Sequence, residues 1–289
     1  MIVMNLKGGL GNQLFQYALG RHLASIHNTT LALDASGFES DPLRNYRLDS
    51  FNISATVLPP KTNSFAKRVV NKLLSEKNPI HRFFHQELPL IRENGFEFQP
   101  NILQSPDNVF LDGYWQTEQY FKPIAHLIRQ DLTLAQPLPT QLQAIEKQIR
   151  SSSSIAVHVR RGDYASNPVT TAYHGLYPMD WYVKAAQEME KDLSDVHYFV
   201  FSDDYEWVKN NLKLDAPCTF IKPSPDGKEA QDLYLMSCCK HNITANSSYS
   251  WWAAWLNANP NKKVIAPAVW FMGADSNTKD LIPANWLRM

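Results

Sequence analysis

Two guanidiniums, an imidazole and a carboxylate crowd one short stretch, His158-Val159-Arg160-Arg161-Gly162-Asp163-Tyr164. A guanidinium is planar and donates two parallel hydrogen bonds, a fork that matches phosphate oxygens. The stretch therefore reads as an anion or nucleotide-diphosphate site. Solvated surface charge is the plain alternative for any Arg-Arg pair. It fits poorly here, because the pair is fused to the apolar run Ile155-Ala156-Val157 and followed by Gly-Asp.

Two later clusters carry related chemistry. Ser202-Asp203-Asp204 offers a carboxylate to a base edge or ribose hydroxyl, although the same residue types also cap helices. Ser247-Ser248-Tyr249-Ser250 places hydroxyls at the start of a helix, where free backbone N–H groups favour phosphate. Near the start of the chain, Lys7-Gly8-Gly9-Leu10-Gly11-Asn12-Gln13 joins a short strand to a helix, with Asn12 as the expected N-cap. It is a glycine-rich turn that lets a ligand approach the main chain, but it is not the G-x-G-x-x-G fingerprint. Tyr114, Trp115 and Gln116 suit a sugar acceptor through ring stacking and an amide; an ordinary core Tyr–Trp pair is the competing reading.

These residues need a scaffold. After the polar hinge Ser151–Ser154 the pattern alternates strand and helix: strands at 155–160, 196–201, 218–221, 241–245 and 263–266, helices near 179–192, 204–212, 229–240 and 248–257. That is a doubly wound βα series. Its clusters fall at the carboxyl ends of strands, where open α/β sheets bind ligands. Earlier, strands are expected at 2–6 and 30–34, residues 109–116 read as a strand running into an aromatic, amide-bearing turn, and helices are expected at 14–26, 62–85, 118–131 and 139–150. Residues 86–107 read as irregular. The expected division is an N-terminal unit over 1–150, a C-terminal unit over 151–266, and a segment 267–289 that packs back across the junction.

Composition narrows the function. The chain has 28 Lys+Arg against 28 Asp+Glu, so it lacks the basic surplus of a nucleic-acid binder. A local basic run (Lys61, Lys67, Arg68, Lys72, Lys77, Arg82) leaves weak peripheral attraction to an anionic membrane open. There is no 18-residue apolar run and no signal-peptide pattern, so a cytoplasmic protein is expected. The three cysteines, Cys218, Cys238 and Cys239, make no C-x-x-C, and no D-x-D triplet occurs, so no metal site is expected.

Four ordered motifs then resemble one family. His158-Val159-Arg160-Arg161-Gly162-Asp163 is similar to the H-x-R-R-x-D signature of the α-1,2/α-1,6/O-fucosyltransferase superfamily. Gly8 to Ala18 resembles the N-terminal signature of its α-1,2-fucosyltransferase branch, glycosyltransferase family 11. Phe201-Ser202-Asp203-Asp204 and Asn246 to Trp252 resemble its two downstream motifs. The resemblance implies two Rossmann-like domains facing across a cleft (GT-B type). It also implies inverting, metal-independent transfer of L-fucose from GDP-fucose to the 2-hydroxyl of a galactose-terminated acceptor, with no cofactor. By the same resemblance Arg160 would hold the β-phosphate. Arg161 would hold local structure or a second phosphate oxygen. His158 and Asp203 would approach the guanine or ribose, and Ser247, Ser248 and Tyr249 would line the phosphates. Asn12 would reach the donor from the other domain. Asp163 is the nearest carboxylate, but two neighbouring arginines make it a poor base. An α-1,6 or O-fucosyl activity, or a non-catalytic glycan-binding module, are the alternatives.

Overall fold

The computed structural model describes residues 1–59, 88–273 and 277–289. The fold is α/β. The chain divides into two compact units, Met1–Thr133 with Lys279–Leu281, and Leu134–Thr278 with Ile282–Met289.

The first unit is built on a parallel sheet of β1 (Ile2–Asn5), β2 (Leu31–Asp34), β3 (Thr56–Val57), β4 (Leu90–Arg92) and β5 (Val109–Asp112), in the order β3-β2-β1-β5-β4. Central β1 must be apolar on both faces, because helices cover a parallel sheet twice. Ile2, Val3 and Met4 are accordingly buried. Helix α1 (Leu10–Ile26) follows β1 directly. Its apolar positions Leu14, Phe15, Ala18, Leu19 and Leu23 are buried, as their helical spacing predicts. Helix α2 (Ala125–Asp131) is tied to α1 by the buried Asp131 carboxylate, which accepts from Tyr17 Oη at 2.6 Å and Arg21 Nε at 3.0 Å.

The second sheet contains β6 (Ser153–Val159), β7 (Val196–Ser202), β8 (Cys218–Ile221), β9 (His241–Ile243), β10 (Val264–Ala266) and β11 (Leu287–Arg288), all parallel, in the order β11-β10-β9-β6-β7-β8. Its helices are α3 (Thr140–Ser151), α4 (Gly162–Ser166), α5 (Pro168–His174), α6 (Met179–Glu190), α7 (Tyr205–Asn211), α8 (Glu229–Cys238) and α9 (Ser248–Leu256). One core packs Ile155, Val157, Val159, Tyr182, Tyr198 and Val200. Trp251, Trp252 and Trp255 of α9 are buried side by side.

In each sheet the strand order turns about one strand. From β6 it runs to β7 and β8 on one side and to β9 on the other; from β1 it runs to β2 and β3, or to β5 and β4. A crevice opens past the carboxyl end of a strand at such a switch point. The Arg160–Arg161 pair follows β6, and the turn through Gly8 and Gly9 follows β1.

Several expectations need correction. The division falls at 133/134, not near 150, because α3 packs with the second unit. There Tyr234 of α8 donates to Glu146 at 2.9 Å, and Arg150 donates to Tyr234 at 3.2 Å. The segment 267–289 is shared out: Asp280 accepts from Phe98 N and Gln119 in the first unit, while β11 extends the second sheet. Residues 86–107 are not wholly irregular, since β4 pairs in register with β5, Leu90 opposite Phe110. Asn12 is not the N-cap. Gly9 holds that position and α1 starts at Leu10, placing Asn12 inside the first turn. The expected helix over 62–85, with its basic run, lies outside the described residues. Among the described residues no helix is long and apolar enough to cross a membrane.

Candidate active site

In the second unit, β6 delivers both arginines to the switch point, and β7 beside it delivers their partners. Arg160 Nη1 pairs with Asp203 Oδ2 at 2.9 Å, and its guanidinium carbon stands 5.3 Å from the Tyr164 ring centre. Arg161 Nε pairs with Asp204 Oδ2 at 3.0 Å, and its guanidinium lies 3.5 Å from the Trp207 ring centre. Asp203 Oδ1 also accepts from the Arg161 backbone N–H at 2.8 Å. One carboxylate thus braces both arginines, a positional role beyond the nucleotide contact expected of it. Gly162 is a steric requirement: a Cβ there would lie 2.6 Å from Asp203 Oδ2. Asp163 lies in α4, and its side chain is outside the described residues.

His158 is buried at the end of β6, 5.4 Å between ring centres from Tyr249, with no hydrogen-bond partner for Nδ1 among the described residues. Its pKa is pushed down to about 4, by burial first and by the Arg160 charge, against the opposing pull of Asp203. The ring is therefore neutral near pH 7. Ser247 caps α9 without a side-chain bond to it, so the first amides of α9 have no capping side chain. Ser248 is half-buried beside it. Tyr249 donates its hydroxyl to the Glu229 carbonyl at 2.6 Å, and burial holds its pKa well above the ordinary value. That hydroxyl is already committed, so Tyr249 reaches the site through its ring. Asn246 Nδ2 donates to the His174 and Trp270 carbonyls at 2.8 and 3.2 Å, a structural role.

In the first unit the switch-point residues are mostly neutral amides. Gln13, fully buried, donates to Gly8 O and Asn45 O at 3.0 and 2.8 Å and accepts from Arg47 N at 2.9 Å. Gln16, also fully buried, accepts from Lys7 N at 3.1 Å and donates to Gly113 O at 3.0 Å. Asn12 Oδ1 accepts from Gln116 Nε2 at 2.7 Å. Gly8 adopts φ +77°, and a Cβ there would lie 2.6 Å from Asn12 Nδ2. The turn after β5 is held by Glu93, whose carboxylate accepts from Tyr114 N and Trp115 N at 2.6 and 2.7 Å. Burial raises the Glu93 pKa, against the pull of those two N–H bonds.

The three residues expected to bind acceptor fare differently. Trp115 is fully buried against Tyr120, so it offers no face to a sugar; it is the core residue of the competing reading. Gln116 is buried and turned to Asn12. Tyr114 is half-buried, with Lys7 Nζ 4.9 Å from its ring centre. Gln13, Gln16 and Glu93 were not picked out by sequence reasoning. The first two had a signal, amides three residues apart on the apolar face of a helix. Glu93 had none, because its strand lies among prolines and glycine.

The sequence model of Glycosyl transferase family 11 matches residues 1–287. This chain belongs to that family. An α-1,2-colitosyltransferase of Escherichia coli is 33% identical, over 100% of this chain and 99% of its own length. The human galactoside α-(1,2)-fucosyltransferase 1 is 24% identical, over 86% of this chain and 63% of that one. The crystal structure of the α-1,6-fucosyltransferase NodZ soaked with GDP-fucose is 18% identical, with a TM-score of 0.51 and coverage of 88% of this chain and 91% of that one. At that identity the likeness gives the fold alone: two Rossmann-like units, as expected of GT-B enzymes.

Proposed function

We propose that this family 11 glycosyltransferase transfers L-fucose from GDP-fucose to the 2-hydroxyl of a terminal β-galactoside, with inversion and without a metal. The carrying observation is the arginine pair at the β6 switch point, braced by Asp203 and Asp204. In the step proposed, the acceptor 2-hydroxyl oxygen bonds to fucose C1 as the C1–O bond to the β-phosphate breaks. The bonding pair leaves on GDP, and the hydroxyl proton passes to water or to the departing phosphate. Negative charge grows on that phosphate, and Arg160 is the donor placed to stabilise it. Such a donor is worth roughly 3–4 kcal/mol of barrier. Arg161, with its charge spent on Asp204 and its face on Trp207, holds the turn. His158, neutral, serves as a hydrogen-bonding group toward the nucleotide. Ser247, Ser248 and the α9 amides take the phosphate oxygens, and Asn12 donates to the transferred sugar. No step is routed through Asp163.

A second reading concerns the sugar. The colitosyltransferase relative is more identical and more fully covered than the fucosyltransferase relative. A colitosyl donor, lacking one ring hydroxyl of fucose, is therefore the alternative substrate at the same site. The protein is to be assayed with GDP-fucose and GDP-colitose against galactose-terminated disaccharides in EDTA, with linkage read by NMR. An α-1,2-fucosyl product is expected. Preference for the colitosyl donor selects the second reading. Transfer only when a divalent ion is added would overturn the metal-free step, and another linkage would overturn the acceptor assignment. Attraction to an anionic membrane remains a further proposal, checked by sedimentation with phosphatidylserine vesicles.

A further inference from the structure

We propose that Gln116 is a positioning residue that locks the Asn12 side chain as a hydrogen-bond donor, and that it does not touch the acceptor. The inference rests on the transferase reading above. Several independent contacts over-determine the turn after β5. Trp115 adopts φ +59°, a left-handed conformation rare for a bulky side chain. Three groups hold it there. Glu93 takes the Tyr114 and Trp115 amides, Gln16 takes the Gly113 carbonyl, and the indole is sunk in the core. A Cβ on Gly113 would lie 2.5 Å from Glu93 Cβ, so the turn closes tightly on that carboxylate. Strained backbone persists where the surroundings enforce it, and it gathers at working sites.

What the turn delivers is Gln116. The residue is 8% exposed, with Nε2 2.7 Å from Asn12 Oδ1. Its Oε1 has no hydrogen-bond partner among the described residues. A fold gains little by burying an amide that satisfies only one end. The arrangement makes sense if the satisfied end has a task. With Oδ1 occupied, Asn12 presents only Nδ2–H, and no described residue accepts from it. Gly8 leaves room for that orientation, since any side chain at Gly8 would strike Nδ2. An amide fixed in this sense meets oxygen acceptors, such as a sugar hydroxyl or a phosphate oxygen. Turned over, it would present a carbonyl, which repels a phosphate oxygen and could only accept from a sugar hydroxyl.

The test uses Asn12→Ala, Gln116→Leu and their combination in the full chain. Gln116→Glu provides a variant of native size that cannot donate. Gln116→Leu and Gln116→Glu should each lower kcat about tenfold while leaving acceptor KM nearly unchanged. In the Asn12→Ala background, Gln116→Leu should add less than about twofold, because residues acting through one another are not additive. Multiplying losses, or a rise in acceptor KM alone, would overturn the proposal. A second readout needs no turnover: the Asn12 side-chain NH2 signals in 15N-asparagine-labelled protein, assigned by their loss in Asn12→Ala. They should move toward free-amide positions in both Gln116 variants. Unmoved signals would refute the lock even if the protein proved inactive, and absence of transfer by the wild type would count against the transferase reading alone.

Discussion

The two units end their central strands in different chemical languages. At the ends of β6 and β7 stand two guanidiniums, two carboxylates and a buried neutral imidazole, each arginine already paired and backed by an aromatic ring. Past β1 and β5 stand Asn12, Gln13, Gln16 and Gln116, a web of uncharged amides, with Glu93 spending its carboxylate on backbone N–H groups. Charge gives strength at the expense of desolvation, so charged groups need partners to stay in place. Amides give direction at little electrostatic cost. Under the proposed function the contrast is a division of labour: the second unit grips an anion, and the first orients neutral groups.

The sharpest way to break that contrast is Arg160→Ala. It should lower kcat by roughly 10²–10³-fold, the loss typical of one donor to developing charge. Acceptor KM should change only a few-fold; equal losses in both would remove Arg160 from the leaving group. Acid should also separate the units. His158 titrates near 4 folded but near 6.5 unfolded, so the unfolded chain takes up the extra proton. Its neutral burial is fully tolerated above pH 6.5 and becomes destabilising as pH falls toward 4, by up to ~3 kcal/mol. Glu93, with a raised pKa, acts in the opposite sense, its contribution fading as pH rises. Urea denaturation of wild type and His158→Asn from pH 7 to 4 checks this; parallel curves would contradict a neutral buried ring.

Smaller effects refine the picture. Gly162→Ala should push Asp203 aside and weaken GDP binding about tenfold, the equivalent of one charged hydrogen bond. Unchanged affinity would mean that Asp203 does not brace the site. Arg161→Lys keeps the charge but loses the stack on Trp207. It should destabilise by about 1 kcal/mol and leave kcat within a few-fold, as thermal melts and kinetics would show.

Much of this was legible in the chain. The βα alternation after residue 151 placed every strand of the second sheet except two-residue β11, because parallel strands read as short apolar runs between turns. The arginine pair stood out because charge beside an apolar strand is rare. The first unit was harder. β4 is a three-residue edge strand in Pro- and Gly-broken sequence, and edge strands carry little apolar pattern. Trp115 and Gln116 were legible as residues but not as roles, because burial depends on a left-handed turn that local sequence does not announce. Asn12 reads as a cap because Asn ranks above Gly there, yet Gly9 is tolerated at only a small cost and takes the position.

Under the proposed function, the Arg160 guanidinium after β6 holds the nucleotide diphosphate without help from a metal. Calorimetric titration of GDP into wild type and Arg160→Ala, both in EDTA, tests it most directly. Binding by the wild type and at least about tenfold weaker binding by the variant are expected. Equal affinities, or wild-type binding that appears only when a divalent cation is restored, would contradict it.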